Sequence, residues 1–333
     1  MGEEYYLDGN DSYDPSETNV CEMGDYFTFN IYLTAVLYTL VFLLSLLGNT
    51  LVLWILFKYE SLTSLTNIFI MNLCISDLVF SCMLPFWVVD QFFGWIFGEF
   101  LCKACNAVFS IGYYSGVFFL TLMTILRYLF VVNPLSTLRS QMQCCGVLVS
   151  LAVWTVSILI VVPEVIHTTV QEDLEEHRFC DYADGNWKNM DIFVRNALFL
   201  LSFGVIVFCY FKILLILLRA RSRRKHRTVK LILIIVVAFF LCWAPYNILS
   251  FLTTVPPPTC QYVKDSTLAF HISRKIAFSH CCLNPVLYVF VGVKFKRHLA
   301  QLCSLCLHCS NGQASSSRTC YEGKFQHEGA SIY

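Results

Sequence analysis

The chain has 333 residues, zero formal net charge, 57% hydrophobic and only 14% charged residues, and a mean hydropathy of +0.62. That balance excludes an ordinary soluble domain and points to a chain that crosses a membrane several times. The neutral total hides a polarised distribution, because Glu3, Glu4, Asp8, Asp11, Asp14, Glu17, Glu22 and Asp25 fall before Asn30 with no Lys or Arg among them.

Nothing before Asn30 reads as a basic region followed by an apolar one, so no cleavable signal peptide is expected and the first span directs insertion. Apolar runs long enough to cross a hydrocarbon core of about 30 Å fall at 31–57, 66–89, 101–132, 146–166, 191–218, 229–254 and 267–293. The fold expected is an all-α integral membrane bundle of seven spans, with its two ends on opposite sides. Lys58, Arg139, the group from Arg219 to Lys230, and Lys294, Lys296 and Arg297 follow alternate spans and mark those loops as cytoplasmic. The acidic amino end is then outside, and the sequon Asn10-Asp11-Ser12 makes Asn10 a glycosylation candidate there.

Four segments follow: an acidic outer tail over 1–30, the bundle over 31–293, a juxtamembrane segment over 294–310 and a disordered cytoplasmic tail over 311–333. Val293 to Leu299 alternates basic and apolar residues at helical spacing, as in a short amphipathic helix on the lipid surface. Cys303, Cys306 and Cys309 behind it are palmitoylation candidates, and Ser315, Ser316, Ser317 and Thr319 are kinase sites by composition.

Most of the 17 cysteines sit in or near apolar spans, as small packing residues rather than a disulfide scaffold. The outer ones differ. Cys102 opens span three and Cys180 lies in the loop after span four, where a bridge would pin that loop over the bundle and contribute about 2–4 kcal/mol. Cys21 and Cys260 remain on the same face and would tie the amino tail to the loop before span seven. Sequence alone does not fix this connectivity, and free thiols are the alternative.

Within the spans, Pro245 interrupts the run from Val229 to Thr254 beside Trp243 and Tyr246, which bends the helix and turns those aromatics toward the bundle interior. It is either a plain kink or part of a two-state element. Asn49, Asp77 and Asn284-Pro285 bring polar groups to the middle of spans one, two and seven. Asp77 is read as the intramembrane charge, costing about 2.5–3.5 kcal/mol unless it faces partners. A structural polar knot and a weak sodium or proton site both fit it. At the inner end of span three, Leu126-Arg127-Tyr128 offers either a snorkelling anchor or a planar fork that holds helix ends, with Tyr210 on span five beside it.

Gly48-Asn49, Leu73 through Asp77, Arg127-Tyr128, Trp154, Cys242-Trp243-Ala244-Pro245 and Asn284-Pro285-Val286-Leu287-Tyr288 occur in order on these spans and resemble the rhodopsin-like G-protein-coupled receptors. The acidic tyrosine-bearing tail, the four outer cysteines, Trp95 and Phe278 through Pro285 resemble the chemokine receptors more narrowly. Arg223 through Lys230, Val289 through Phe295 and Glu328 through Tyr333 are similar to the XC (lymphotactin) class among them. The resemblance implies a plasma-membrane receptor for a small basic chemokine, gripped first by the tail and then in a cavity among the outer thirds of the spans. Tyr5, Tyr6, Tyr13 and Asp14 would serve the tail, the tyrosines in sulfated form. Trp87, Asp90, Phe109, Tyr113, Glu164, Asp181, Tyr246, Arg274 and Lys275 would line the cavity. Asp77, Arg127, Tyr128, Tyr210, Trp243, Pro245, Asn284, Pro285 and Tyr288 would form the switch that reaches a heterotrimeric G protein of the inhibitory class. Arrestin, receptor kinases and membrane lipid are the other implied partners, and neither a cofactor, a nucleic acid nor a catalysed reaction is implied.

Several residues depart from the family pattern. Arg274 stands where many relatives carry an acid, Ser202 where span five usually has proline, and Met83 where threonine often precedes Leu-Pro. Gly112 and Gly116 replace polar residues that commonly assist sodium, and Leu126 replaces the usual acid before Arg127. That last change gives weight to a scavenging receptor that internalises chemokine without activating a G protein. A transporter or channel would show internal repeats or several charges along a pathway, and an enzyme a nucleophile with acid and base; neither pattern is seen. A peptide-hormone receptor outside the chemokine group is the remaining alternative.

Overall fold

A computed structural model of the chain describes residues 26–61, 64–132, 138–173, 177–219, 225–255 and 260–291; side chains at 26–29, 138–144, 217–219, 225–232, 260, 261, 263 and 287–291 lie outside that description. Long apolar stretches become helices because only a helix satisfies every backbone polar group within one segment where water is absent. The order is α1 (Tyr26–Tyr59), α2 (Leu65–Ser81), α3 (Leu84–Phe93), α4 (Gly98–Val132), α5 (Leu138–His167), β1 (Thr168–Glu172), β2 (Arg178–Tyr182), α6 (Gly185–Arg219), α7 (Lys225–Leu252), α8 (Cys260–Phe278) and α9 (His280–Val291).

Six spans among the described residues are long and apolar enough to cross a membrane: α1, α2 with α3, α4, α5, α6 and α7. The seventh span expected from sequence corresponds to α8 with α9, whose first half carries Lys264, Asp265, His271, Arg274 and Lys275. Spans two and seven are each broken once. The first break is at Cys82 and Met83, where Met83 N donates to Phe80 O at 3.1 Å, a tighter turn than the helix. It places Pro85 in the first turn of α3, where a missing N–H costs nothing. The second is at Ser279, whose N–H is shared between Lys275 O and Ile276 O, both at 3.2 Å.

Small and polar residues set how closely the spans approach. A Cβ on Gly48 would sit 2.8 Å from Pro285 Cβ, so glycine there lets α1 lie against α9. Trp154 Nε1 donates to Asn72 Oδ1 at 2.9 Å and Asn72 Nδ2 donates to Ser150 Oγ at 3.0 Å, which fastens α5 to α2.

One end of the bundle is covered by the antiparallel β1–β2 hairpin, paired from Thr168 with Tyr182 to Glu172 with Arg178. The Cys102–Cys180 disulfide, with Cα atoms 5.6 Å apart, ties β2 to the first turns of α4. Trp95, 2% exposed, wedges between α3, α4 and the hairpin. Its backbone N–H donates to Arg178 O at 2.7 Å and its ring Nε1 to Gly98 O at 2.8 Å. Gly94 makes this possible: its φ is +69°, and a Cβ there would stand 2.6 Å from His177 Nε2 and 2.8 Å from Arg178 O.

Candidate ligand cavity and switch residues

Under the hairpin lies a cavity of about 160 Å³ lined by Trp87, Asp90, Gln91, Trp95, Asn106, Phe109, Cys180, Tyr246, Arg274 and Phe278. Five residues singled out from sequence therefore share one space: Trp87, Asp90, Phe109, Tyr246 and Arg274. They arrive on four helices, α3 supplying Trp87 and Asp90, α4 Phe109, α7 Tyr246 and α8 Arg274. Asp90 lies within electrostatic range of Arg274 and His177, so the α3 wall is acidic and the α8 wall basic.

The other expected lining residues are placed differently. Tyr113 is buried one turn below, its ring 4.5 Å from that of Trp243 and its hydroxyl 3.4 Å from Asn247 Oδ1. Asp181 lies on β2, where its Oδ2 pairs with Lys188 Nζ at 2.6 Å. Lys275 turns toward α1, where its Nζ donates to Asn30 Oδ1 at 2.6 Å and stands 3.4 Å from His271 O. Arg274 and Lys275 are adjacent on a helix, about 100° apart around its axis, and cannot both face the same cavity. Glu164 is buried at the end of α5, outside the cavity lining.

Sequence reading missed a buried ion pair. Asp191 and Arg195, one turn apart on α6, meet at 2.6 Å with side chains only 16% and 7% exposed. Arg195 also donates to Tyr246 Oη at 3.2 Å and to Ser110 Oγ at 3.4 Å, with its guanidinium 5.3 Å from the Phe109 ring centre. The signal was present as an i,i+4 acid and base inside an apolar span. Asp77 is therefore not the lone intramembrane charge, since Glu164, Asp191 and Arg195 join it.

Below the cavity an unbroken set of ring contacts leads inward. Trp87 stacks on Phe278 at 5.1 Å, Phe278 meets Phe109 at 5.3 Å, and Phe109 meets Trp243 at 6.0 Å. Trp243, fully buried, touches Phe239 at 6.0 Å and His280 at 5.1 Å. His280 Nε2 stands 3.6 Å from Asp77 Oδ1, while Asn284 Nδ2 donates to Asp77 Oδ2 at 2.7 Å. Asn49 Nδ2 reaches Cys281 O at 2.9 Å and closes this polar knot from α1.

Sodium fits poorly beside Asp77. Ser115 and Ser76 hydroxyls bond each other at 2.9 Å and reach Gly112 O, and Gly112 and Gly116 bring no side-chain oxygen. Asp77 Oδ2 accepts from Asn284 Nδ2 at 2.7 Å, whereas Oδ1 has only His280 Nε2 near it, at 3.6 Å and beyond hydrogen-bond reach.

At the opposite end, Arg127 Nη2 donates to Thr66 Oγ1 of α2 at 2.9 Å. Leu126 packs on the main core, and Tyr128 and Tyr210 flank Val131 and Ile213. Pro245 lies inside α7 and Pro285 inside α9. Tyr5, Tyr6, Asn10, Tyr13, Asp14, Cys21, Cys303, Cys306 and Cys309 lie outside the described residues, as do the side chains of Cys260 and Tyr288.

Residues 48–288 match the model of the 7 transmembrane receptor (rhodopsin family). The chain is 50% identical to Chemokine XC receptor 1 of Homo sapiens over 95% of each chain, and 49% identical to the Mus musculus counterpart over 94% of this chain and 95% of that one. It is 38% identical to C-C chemokine receptor type 4 of Homo sapiens over 81% of this chain and 77% of that one. The chain thus belongs to the rhodopsin family of seven-transmembrane receptors and, within it, to the chemokine receptors of the XC class; it is a receptor and not an enzyme.

Proposed function

We propose that the chain is a plasma-membrane receptor, amino end outside and carboxyl end in the cytoplasm, for a small basic chemokine of the XC class. It signals through an inhibitory-type heterotrimeric G protein to mobilise calcium and direct chemotaxis. The observation that carries this reading is the continuous path from the cavity through Phe109, Trp243 and His280 to Asp77 and Asn284. Such a path lets a ligand at one end bias a helix arrangement at the other.

The acidic tail, with Tyr5, Tyr6, Tyr13 and Asp14, attracts the cationic chemokine and raises its encounter rate. The chemokine's amino end then enters the cavity, where Trp87, Asp90, Phe109, Tyr246 and Arg274 meet it. Displacement of Trp243 beside Pro245 lets α7 move outward from the Arg127 end, which frees Arg127 from Thr66 and opens the surface the G protein occupies. Receptor kinases and arrestin act on the tail beyond the lipid-anchored Cys303, Cys306 and Cys309.

Saturable binding of labelled chemokines of each class to intact cells tests the ligand assignment. Selective saturation by the XC class supports it, and no binding by any chemokine overturns it. Leu126 favours a second reading, a scavenger, because Arg127 bonds a neutral hydroxyl rather than a neighbouring acid. Ligand uptake without G-protein dissociation would establish that reading.

A further inference from the structure

Trp243 stands at the middle of the signalling path, yet no polar contact holds its ring: Nε1 is buried and has no hydrogen-bond partner among the described residues. Its position is left to the rings around it. Three of these are Tyr113 at 4.5 Å, Tyr246 at 5.7 Å and Phe109 at 6.0 Å between centres. All three meet one guanidinium. Arg195 Nη1 donates to Tyr246 Oη at 3.2 Å, and its Cζ lies 5.3 Å from the Phe109 ring centre and 5.9 Å from that of Tyr113. Arg195 on α6 thus reaches Trp243 through side chains of α4 and α7.

The chemistry of this position needs arginine. A planar fork can serve a carboxylate, a phenol and aromatic faces in fixed directions at once, whereas an ammonium is a point charge on a flexible stem. Asp191, one turn back on α6, takes Nη2 at 2.6 Å and neutralises the charge inside the span, and Ser110 Oγ lies 3.4 Å from the same nitrogen. A pair that served only the stability of α6 would need Asp191 alone. Here the rest of the guanidinium is spent on α4 and on the rings that confine Trp243.

We propose that Arg195 is a positioning residue for the switch: anchored by Asp191, it holds the three rings that confine Trp243, and movement of α6 relative to α4 and α7 releases that residue. Trp243 then takes input from α6 as well as from the cavity. The link from Trp243 to G-protein activation rests on the receptor reading above; the confinement of Trp243 does not.

Fluorine NMR of the purified, unliganded full chain labelled with 5-fluorotryptophan tests it, the Trp243 resonance being assigned by its loss in Trp243→Phe. Arg195→Lys keeps the pair with Asp191 and loses the fork. It should populate a second Trp243 resonance, about tenfold more than in the parent, for one hydrogen bond to a charged group. Tyr246→Phe removes only the acceptor and should populate the same resonance, adding little in the Arg195→Lys background because both changes break one network. It carries the test if Arg195→Lys does not fold. A folded variant with the parent's Trp243 spectrum overturns the proposal whatever its melting temperature, since an ion pair that is merely structural moves only the latter; full additivity of the two changes also overturns it. In cells, ligand-independent G-protein dissociation should rise in Arg195→Lys, and an unmoved level in a chain that responds to chemokine overturns the switch role. A chain that binds no chemokine refutes the receptor reading and leaves the NMR result to decide the confinement of Trp243.

Discussion

Thr66→Val isolates the restraint that stands in for the missing acid. Arg127 Nη2 donates to Thr66 Oγ1 at 2.9 Å in a partly buried setting. A hydrogen bond to a charged group contributes about 1.5–3 kcal/mol, and partial exposure puts this one near the lower figure. Valine keeps the branched shape and removes the acceptor. A loss of about 1.4 kcal/mol changes an equilibrium constant tenfold, so arrangements in which Arg127 has left α2 should become roughly tenfold more populated. Ligand-independent G-protein dissociation, normalised to surface expression with Arg127→Ala as the zero, reads that population. Basal signalling in Thr66→Val that matches the parent would refute the claim that this bond holds the resting state.

Three other perturbations have defined outcomes. Leu126→Asp supplies a carboxylate beside Arg127 and should lower basal signalling by about fivefold, near 1 kcal/mol for a half-exposed pair; unchanged or higher basal activity contradicts it. Gly94→Ala forces a Cβ against His177 and Arg178 O at a φ of +69°. It should cost about 1–2 kcal/mol from the backbone alone and lower the melting temperature of the purified receptor, whereas an unaltered transition would show that the hairpin yields. Neutralising Glu3, Glu4, Asp8, Asp11 and Asp14 should slow chemokine association at about 0.01 M salt, where the screening length is about 30 Å, and have little effect at about 1 M. An equal loss at both salt concentrations would remove the steering role.

The spans were legible because lipid forces long apolar runs into helices, and the motif residues because close packing needs them, as Gly48 against Pro285 illustrates. Their ends were less legible. Helix α5 starts at Leu138 and α6 at Gly185, beyond the apolar runs from 146 and 191, because hydrogen bonding continues past the hydrocarbon edge. The breaks at Met83 and Ser279 depend on which carbonyl each N–H reaches, which hydropathy does not encode. The resemblance puts Lys275 in the cavity beside Arg274, and helix phase sends it to Asn30 instead. Asp191 and Arg195 escaped because a span was judged by its mean composition, which a paired acid and base barely alter.

The central claim is that a chemokine at the hairpin end drives G-protein activation through Arg127. G-protein dissociation measured in cells against the concentration of an XC-class chemokine, in the parent chain and in Arg127→Ala, tests it most directly. The account predicts a saturable response in the parent and none in the variant at equal chemokine binding. Chemokine bound at saturation with no dissociation in the parent, or an equal response in Arg127→Ala, would contradict it.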